Sequence, residues 1–199
     1  MRIRTILAAA AAPAALAAVL LGTTAASAAT NPNANPGNGA VVIKTQAQAD
    51  QLMAQGGTIN KNVDVPQGAN VQLRWVDIKG NLSVEGTLSL ASSQIEGYAT
   101  VSGPGAGLSL FNDPGNHFWH DLTVNTAGGY YDGSWINTGL GVYSNGQQVD
   151  GTLSFTNNTG SRMSLNCDPG AMTVHNFTYS GNALLYAGGL TITGHQSIS

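Results

Sequence analysis

The sequence predicts an all-β chain wound into a right-handed parallel β-helix, a β-solenoid with a short helix capping its N-terminal end. Three observations lead there. One apolar phrase recurs seven times after residue 58, with its clearest copies at Ile78-Lys79-Gly80-Asn81-Leu82-Ser83-Val84 and Ile95-Glu96-Gly97-Tyr98-Ala99-Thr100-Val101. The recurrence comes about every 20 residues, and a strand that short buries its apolar side only by stacking on its own copies. Charged residues make up only 9% of the chain and glycine counts 26, the balance of a turn-rich β-protein and not of a helical bundle.

The elements follow in order. Met1-Arg2-Ile3-Arg4 is a basic start, Ile6 to Leu21 is apolar, and Ala26-Ser27-Ala28 supplies small residues for a peptidase. Residues 1–28 therefore read as a secretory signal peptide, which predicts a secreted protein that does not stay in the membrane. Residues 29–40 are rich in Asn, Pro and Gly without an apolar period and read as a flexible leader. The solenoid domain is expected over 41–199. Val41-Val42-Ile43 opens it as a strand, and Thr45 N-caps a helix through Gln55 with Ala47, Leu52 and Met53 facing inward. Gly56-Gly57 ends that helix, which would cover the first rung and its unpaired strand edges.

The rungs place Val63, Leu82, Ala99, Leu122, Leu153, Phe177 and Leu190 in one inward column. Val65, Val84, Val101, Val124, Phe155, Tyr179 and Ile192 form a second beside it. Their separations, 19, 17, 23, 31, 24 and 13 residues, are unequal, which favours the right-handed form over the strict six-residue steps of a left-handed one. The 31-residue gap leaves room for an eighth rung around Gly133–Asn137, where Trp135 fits an inward position or else joins the exposed aromatics of that segment. Val71-Gln72-Leu73, Leu88-Ser89-Leu90, Leu108-Ser109-Leu110 and Met163-Ser164-Leu165 supply a second strand per turn. Pro104-Gly105 and Asp113-Pro114-Gly115 make corners.

The phrases Ile78-Lys79-Gly80-Asn81-Leu82-Ser83-Val84 and Phe155-Thr156-Asn157-Asn158-Thr159-Gly160, and the tail Tyr179-Ser180-Gly181-Asn182, resemble secreted bacterial parallel β-helix proteins of uncharacterised function, on the pectate-lyase-like superfold. The rungs are more distantly similar to bactofilins, from which the signal peptide and the irregular rung length depart. The resemblance covers Thr58 to the C-terminus and implies the fold; its motifs specify turns, not chemistry.

Charge and cysteine narrow the functions. Without Arg2 and Arg4, five cationic residues face ten acidic ones, a net charge near −5. Scattered cations of that number build no surface for nucleic acid or acidic polysaccharide. Cys167 is the single cysteine, which excludes an intramolecular disulfide, and its strand parity points it inward. No cofactor and no metal is expected, because His120 and His175 are separated by too many rungs to share an ion.

The acids are isolated in sequence, so a lyase or glycosidase would need stacking to gather Asp113, Asp121 and Asp132 near Arg162. The favoured expectation is a non-catalytic structural or adhesive module of the cell envelope or extracellular matrix. His117, Trp119 and Asp121 share the outer parity of one strand, and Tyr130, Tyr131 and Tyr143 lie among Gly, Asn and Ser. Rings beside amides and hydroxyls grip neutral polysaccharide by stacking and hydrogen bonding, and these six residues are the candidate binding set. Asp64, Ser83, Thr100, Thr123, Ser154, Thr178 and Thr191 form an outward column that resembles ice-binding faces, without their paired uniform threonines. The short tail after Ile192 leaves the last rung nearly uncovered and predicts an end-to-end homodimer.

Overall fold

A computed structural model of the chain describes residues 39–111, 115–125, 146–157, 172–182 and 190–199, and the backbone alone of 135–138, 163–166 and 185–188. Of the two units into which the chain divides, Met1–Thr30 lies outside that set, and the described residues all belong to Asn31–Ser199. The expected signal peptide and all but the last two residues of the leader thus fall outside it.

The strands are parallel and wind into a β-solenoid of about six turns. A 13-stranded sheet and a six-stranded sheet make its walls. In the first sheet each turn contributes a short lead strand, such as Asp77–Ile78 or His117–Phe118, and then a main strand, such as Leu82–Val84 or Leu122–Asn125. Near the C-terminal end the two fuse into Gln147–Thr156 and Met172–Ser180. The second sheet stacks Asn70–Arg74, Thr87–Ala91, Gly107–Phe111, Trp135–Thr138, Met163–Asn166 and Leu185–Gly188.

Like residues stack on like because parallel ladders keep an even register. Ile78, Ile95, Phe118 and Val149 form one buried column, and Val63, Leu82, Ala99, Leu122 and Leu153 another. Leu88, Leu90, Leu108 and Leu110 close the core from the second sheet. Each fully buried large side chain contributes roughly 1.5–3 kcal/mol, so the columns hold the fold without cross-links. Phe155 and Phe177 add an edge-to-face contact at 6.2 Å.

Three details differ from the sequence expectation. Leu190 and Ile192 pair with Met172 and Val174, which places them on the lead strands. The main columns instead end at Gln196 and Ile198, opposite Phe177 and Tyr179, and Ser197, not Thr191, continues the hydroxyl column. The apolar-polar-apolar pattern of Leu190–Ile192 fits either kind of strand, so parity alone could not assign it. The segment around Trp135 is no extra rung: Trp135–Thr138 pairs with Gly107–Leu110 and belongs to the second sheet. Trp135 takes the register of Gly107, one step off the Leu108 column, and its side chain lies outside the described residues. In the helix it is Ala49 that is buried, while Ala47 is exposed.

The helix, Gln46–Ala54, starts on a capping box in which Thr45 accepts from the Gln48 N–H and Gln48 reaches back to the Thr45 N–H. It also closes the open edge of the second sheet. Gln46 Oε1 accepts from the Gln72 N–H at 2.7 Å and Gln46 Nε2 donates to the Gln72 carbonyl at 3.1 Å. One side chain thus imitates a neighbouring strand, satisfying an edge that would otherwise seek a partner.

The corner between lead and main strands is an amide ladder. Asn62 Oδ1 accepts from the Asn81 N–H, Asn81 Oδ1 from Tyr98 N–H, Asp121 Oδ1 from Thr152 N–H and Asn176 Oδ1 from His195 N–H, at 2.7–2.9 Å. Each bond brings the next turn so close that the preceding residue has no room for a Cβ. A methyl at Gly80 would lie 2.5 Å from Asn62 Oδ1, one at Gly97 2.5 Å from Asn81 Oδ1, and Gly151 and Gly194 meet Asp121 and Asn176 likewise. The two corners that hold Tyr98 and Thr152 instead of an amide or carboxylate are followed by His120 and His175, not glycine.

A second, buried polar ladder sits where the second sheet turns back into the first. Ser93, Asn116 and Gln147 are all enclosed. Asn116 Oδ1 accepts from the Ser93 N–H at 3.0 Å, and Gln147 Oε1 from the Asn116 N–H at 2.8 Å. Buried polar groups survive in a core when paired in this way.

Because the methyl of alanine at position 80 meets backbone as well as the Asn62 amide, Gly80→Ala is expected to destabilise the fold by about 1–3 kcal/mol. Urea denaturation reads this directly. An unchanged midpoint would mean that the corner is not as tight as the ladder requires.

Candidate functional site

The outer side of the lead strands carries two polar columns. Asp77, Gln94, His117, Gln148, Thr173 and Thr191 stack in register. Two residues further along each strand come Lys79, Glu96, Trp119, Asp150, His175 and Thr193. At the N-terminal end these are tied up as ion pairs, Lys79 Nζ bridging Asp77 Oδ2 at 2.7 Å and Glu96 Oε1 at 2.5 Å. Those hydrogen bonds, first to Asp77 and then to Glu96, raise the Lys79 pKa and keep the ammonium charged.

The middle rungs hold the candidate site. Trp119 is 46% exposed and stacks on the His117 ring at 4.4 Å between centroids. His117 Nε2 lies 2.8 Å from Asp150 Oδ2, and Gln148 Nε2 donates to Asp150 Oδ1 at 2.6 Å. Desolvation pushes the Asp150 carboxyl up, but the hydrogen bonds from Gln148 and His117 and the nearby imidazoles outweigh it and hold the group below its ordinary value. Beyond Asp150 an open groove of about 370 Å³ is lined by Gln148, Val149, Asp150, Thr173, His175 and Thr193. His175 Nδ1 and Thr193 Oγ1 are 3.3 Å apart at its far wall.

Of the expected site residues, the structure brings His117 and Trp119 together. Asp121 turns into the corner, where its Oδ1 receives the Thr152 N–H. Tyr130, Tyr131 and Tyr143 lie outside the described residues, as do Cys167 and the Asp113, Asp132 and Arg162 of the catalytic alternative. His120, beside the site, stacks on Tyr98 at 4.9 Å. Gln148, Asp150 and Thr193 were not singled out from the sequence. The signal for Asp150 was available, because it follows the lead apolar residue Val149 as Trp119 follows Phe118.

The arrangement offers a flat aromatic ring, a fixed carboxylate and a row of amide, imidazole and hydroxyl groups, all along one line of stacked rungs. Such a set stacks on an apolar sugar face and exchanges hydrogen bonds with its hydroxyls. Among the described residues no group of three His, Cys, Asp or Glu is placed to hold a metal ion. Comparison of the chain with protein-family models, curated proteins and solved structures gives no match.

A carboxyl whose pKa is lower folded than unfolded stabilises the fold above its unfolded value, and that contribution is lost as pH falls through the folded value. Asp150→Asn is therefore expected to lower Tm slightly at neutral pH and to converge with the parent protein at pH values well below 3.8, the ordinary value of the group. Thermal scans across that range check it, and a gap that widens toward acid would contradict the assigned sign.

Proposed function

We propose that this chain is a secreted, non-catalytic β-solenoid, structural or adhesive at the cell envelope or in the extracellular matrix, which grips neutral polysaccharide on the outer face of its first sheet. The observation that carries this is Trp119, a large ring left 46% exposed against His117, one rung before the open groove that Gln148, Asp150 and His175 help to line. An apolar ring bordered by hydrogen-bonding groups suits a sugar, which has an apolar face and a polar rim.

A neutral ligand fits the charges. Lys79, the cation in these polar columns among the described residues, is already held by two carboxylates. Asp150 and Asp121 are each engaged by neighbours, which suits positioning better than acid–base chemistry on a substrate. Unequal turn lengths favour a likeness to the pectate-lyase-like solenoids over one to the bactofilins.

Co-sedimentation with insoluble cell-wall and plant polysaccharides tests the proposal. The protein should pellet with at least one neutral glycan, at high as well as low salt, and Trp119→Ala should reduce the bound fraction several-fold at unchanged Tm. Retention unaffected by Trp119→Ala would remove this face from the reading. Staying soluble with every glycan would end the adhesive role altogether.

A further inference from the structure

Trp75 is the most exposed large apolar side chain among the described residues, at 67%. It follows the strand Asn70–Arg74, at the corner where the second sheet turns back into the first. Its φ is +56°, in the left-handed region that bulky residues avoid. The register puts Gly56, with φ +100°, one rung earlier at this corner and Ser92, with φ +51°, one rung later. The corner therefore asks for a left-handed residue, a demand that glycine, as at Gly56, meets without strain.

Among the described residues nothing accounts for a tryptophan there. The Trp75 N–H donates to the Ala91 carbonyl at 3.0 Å, a bond any residue but proline could make. Its carbonyl presses on Gly57, where a Cβ would lie 2.5 Å away, and that contact too belongs to the backbone. The ring is neither buried nor favoured by its conformation, so it is set up for something outside the molecule.

The neighbouring column says what. Arg74, Ala91 and Phe111 stack in register, and Phe111 is a second exposed ring, at 39%. It stands two rungs from the level of Trp75, about 9.6 Å along the axis. The rung between them carries only Ala91 and Ser92, so the two rings rise from a low floor. A β-1,4-linked glycan turns each sugar over relative to the last, so alternate sugars present the same face, one disaccharide apart. Two rings two rungs apart answer that repeat, and the exposed Arg74 supplies donors for hydroxyl oxygens beside the first ring.

We infer that Trp75 anchors a second glycan site, in which a neutral β-1,4-linked chain runs along the solenoid axis over Trp75 and Phe111. The inference rests on the reading that the protein grips neutral glycan, but uses a different corner and none of the residues around Trp119. Two such sites on different parts of one solenoid would let a single molecule tether two chains.

The test is calorimetric titration of the full chain with cellohexaose, alongside thermal unfolding, for the parent protein, W75G, F111A and W119A. Glycine is at ease at a positive φ, so W75G should keep or raise Tm while its affinity falls about tenfold or more. F111A should weaken binding to a lesser degree, and W119A should leave the Trp75-dependent phase in place. A fall in Tm with unchanged affinity in W75G would make the ring structural and overturn the site. Binding lost in W119A alone would keep the first-sheet reading and discard this one. So would an absence of cellohexaose binding in a protein that still pellets with another neutral polysaccharide. A concentration-dependent dimer without sugar, abolished in W75G, would assign the ring to a second copy of the chain and equally overturn the glycan assignment.

Discussion

Each turn of this chain hands its backbone N–H groups to the turn beside it, at a spacing of about 4.8 Å, and the even register of parallel strands repeats whatever a position holds. The apolar columns, the amide corner and the polar rows of the outer face are one consequence seen at different positions. A residue is judged by the residue above and below it more than by its neighbours in sequence. Val84 is buried against Val65 and Val101 because the register puts them there, although 19 and 17 positions separate it from them.

The two polar ladders serve different ends. At the buried corner, Ser93, Asn116 and Gln147 satisfy backbone groups that the turn between sheets would leave unpaired in the core. At the outer corner the amide ladder fixes how closely turns approach, and glycine follows from it. Where Tyr98 and Thr152 interrupt that ladder, the amide or carboxylate that excludes a Cβ is missing and His120 and His175 take the place of glycine. Both flank the rungs that carry Trp119 and Asp150, so the face richest in hydrogen-bonding side chains coincides with the gaps in the ladder.

Much of this was legible in the sequence. The apolar phrase announced the columns of the first six rungs, through Phe177 and Tyr179, and the Thr45 cap announced the helix, because both are local patterns with a fixed period. What escaped depends on comparison across turns. Leu190-Thr191-Ile192 and Gln196-Ser197-Ile198 both alternate as strands do, and only pairing shows which of them continues the column above Phe177 and Tyr179. Trp135 sits at the right distance for a rung yet pairs in the second sheet. His117 and Trp119 could be placed on one face from parity alone, whereas the Asp150 carboxylate joins them from 33 residues away. Trp75 gave no signal at all, since a left-handed φ is invisible until the corner is built.

The amide corner also bears on how such a chain can lengthen or shrink. Its rule spans two rungs: the asparagine belongs to one and the glycine it demands belongs to the next. A duplicated copy of Ile78–Val84 carries its own glycine and its own asparagine, so it can be inserted after another amide corner without offence. The rung containing His120 cannot, because set above an asparagine it would bring a Cβ where none fits. Gene duplication can therefore multiply the plain rungs freely, while those that carry His120 and His175 are confined to neighbours whose corner lacks the amide or carboxylate.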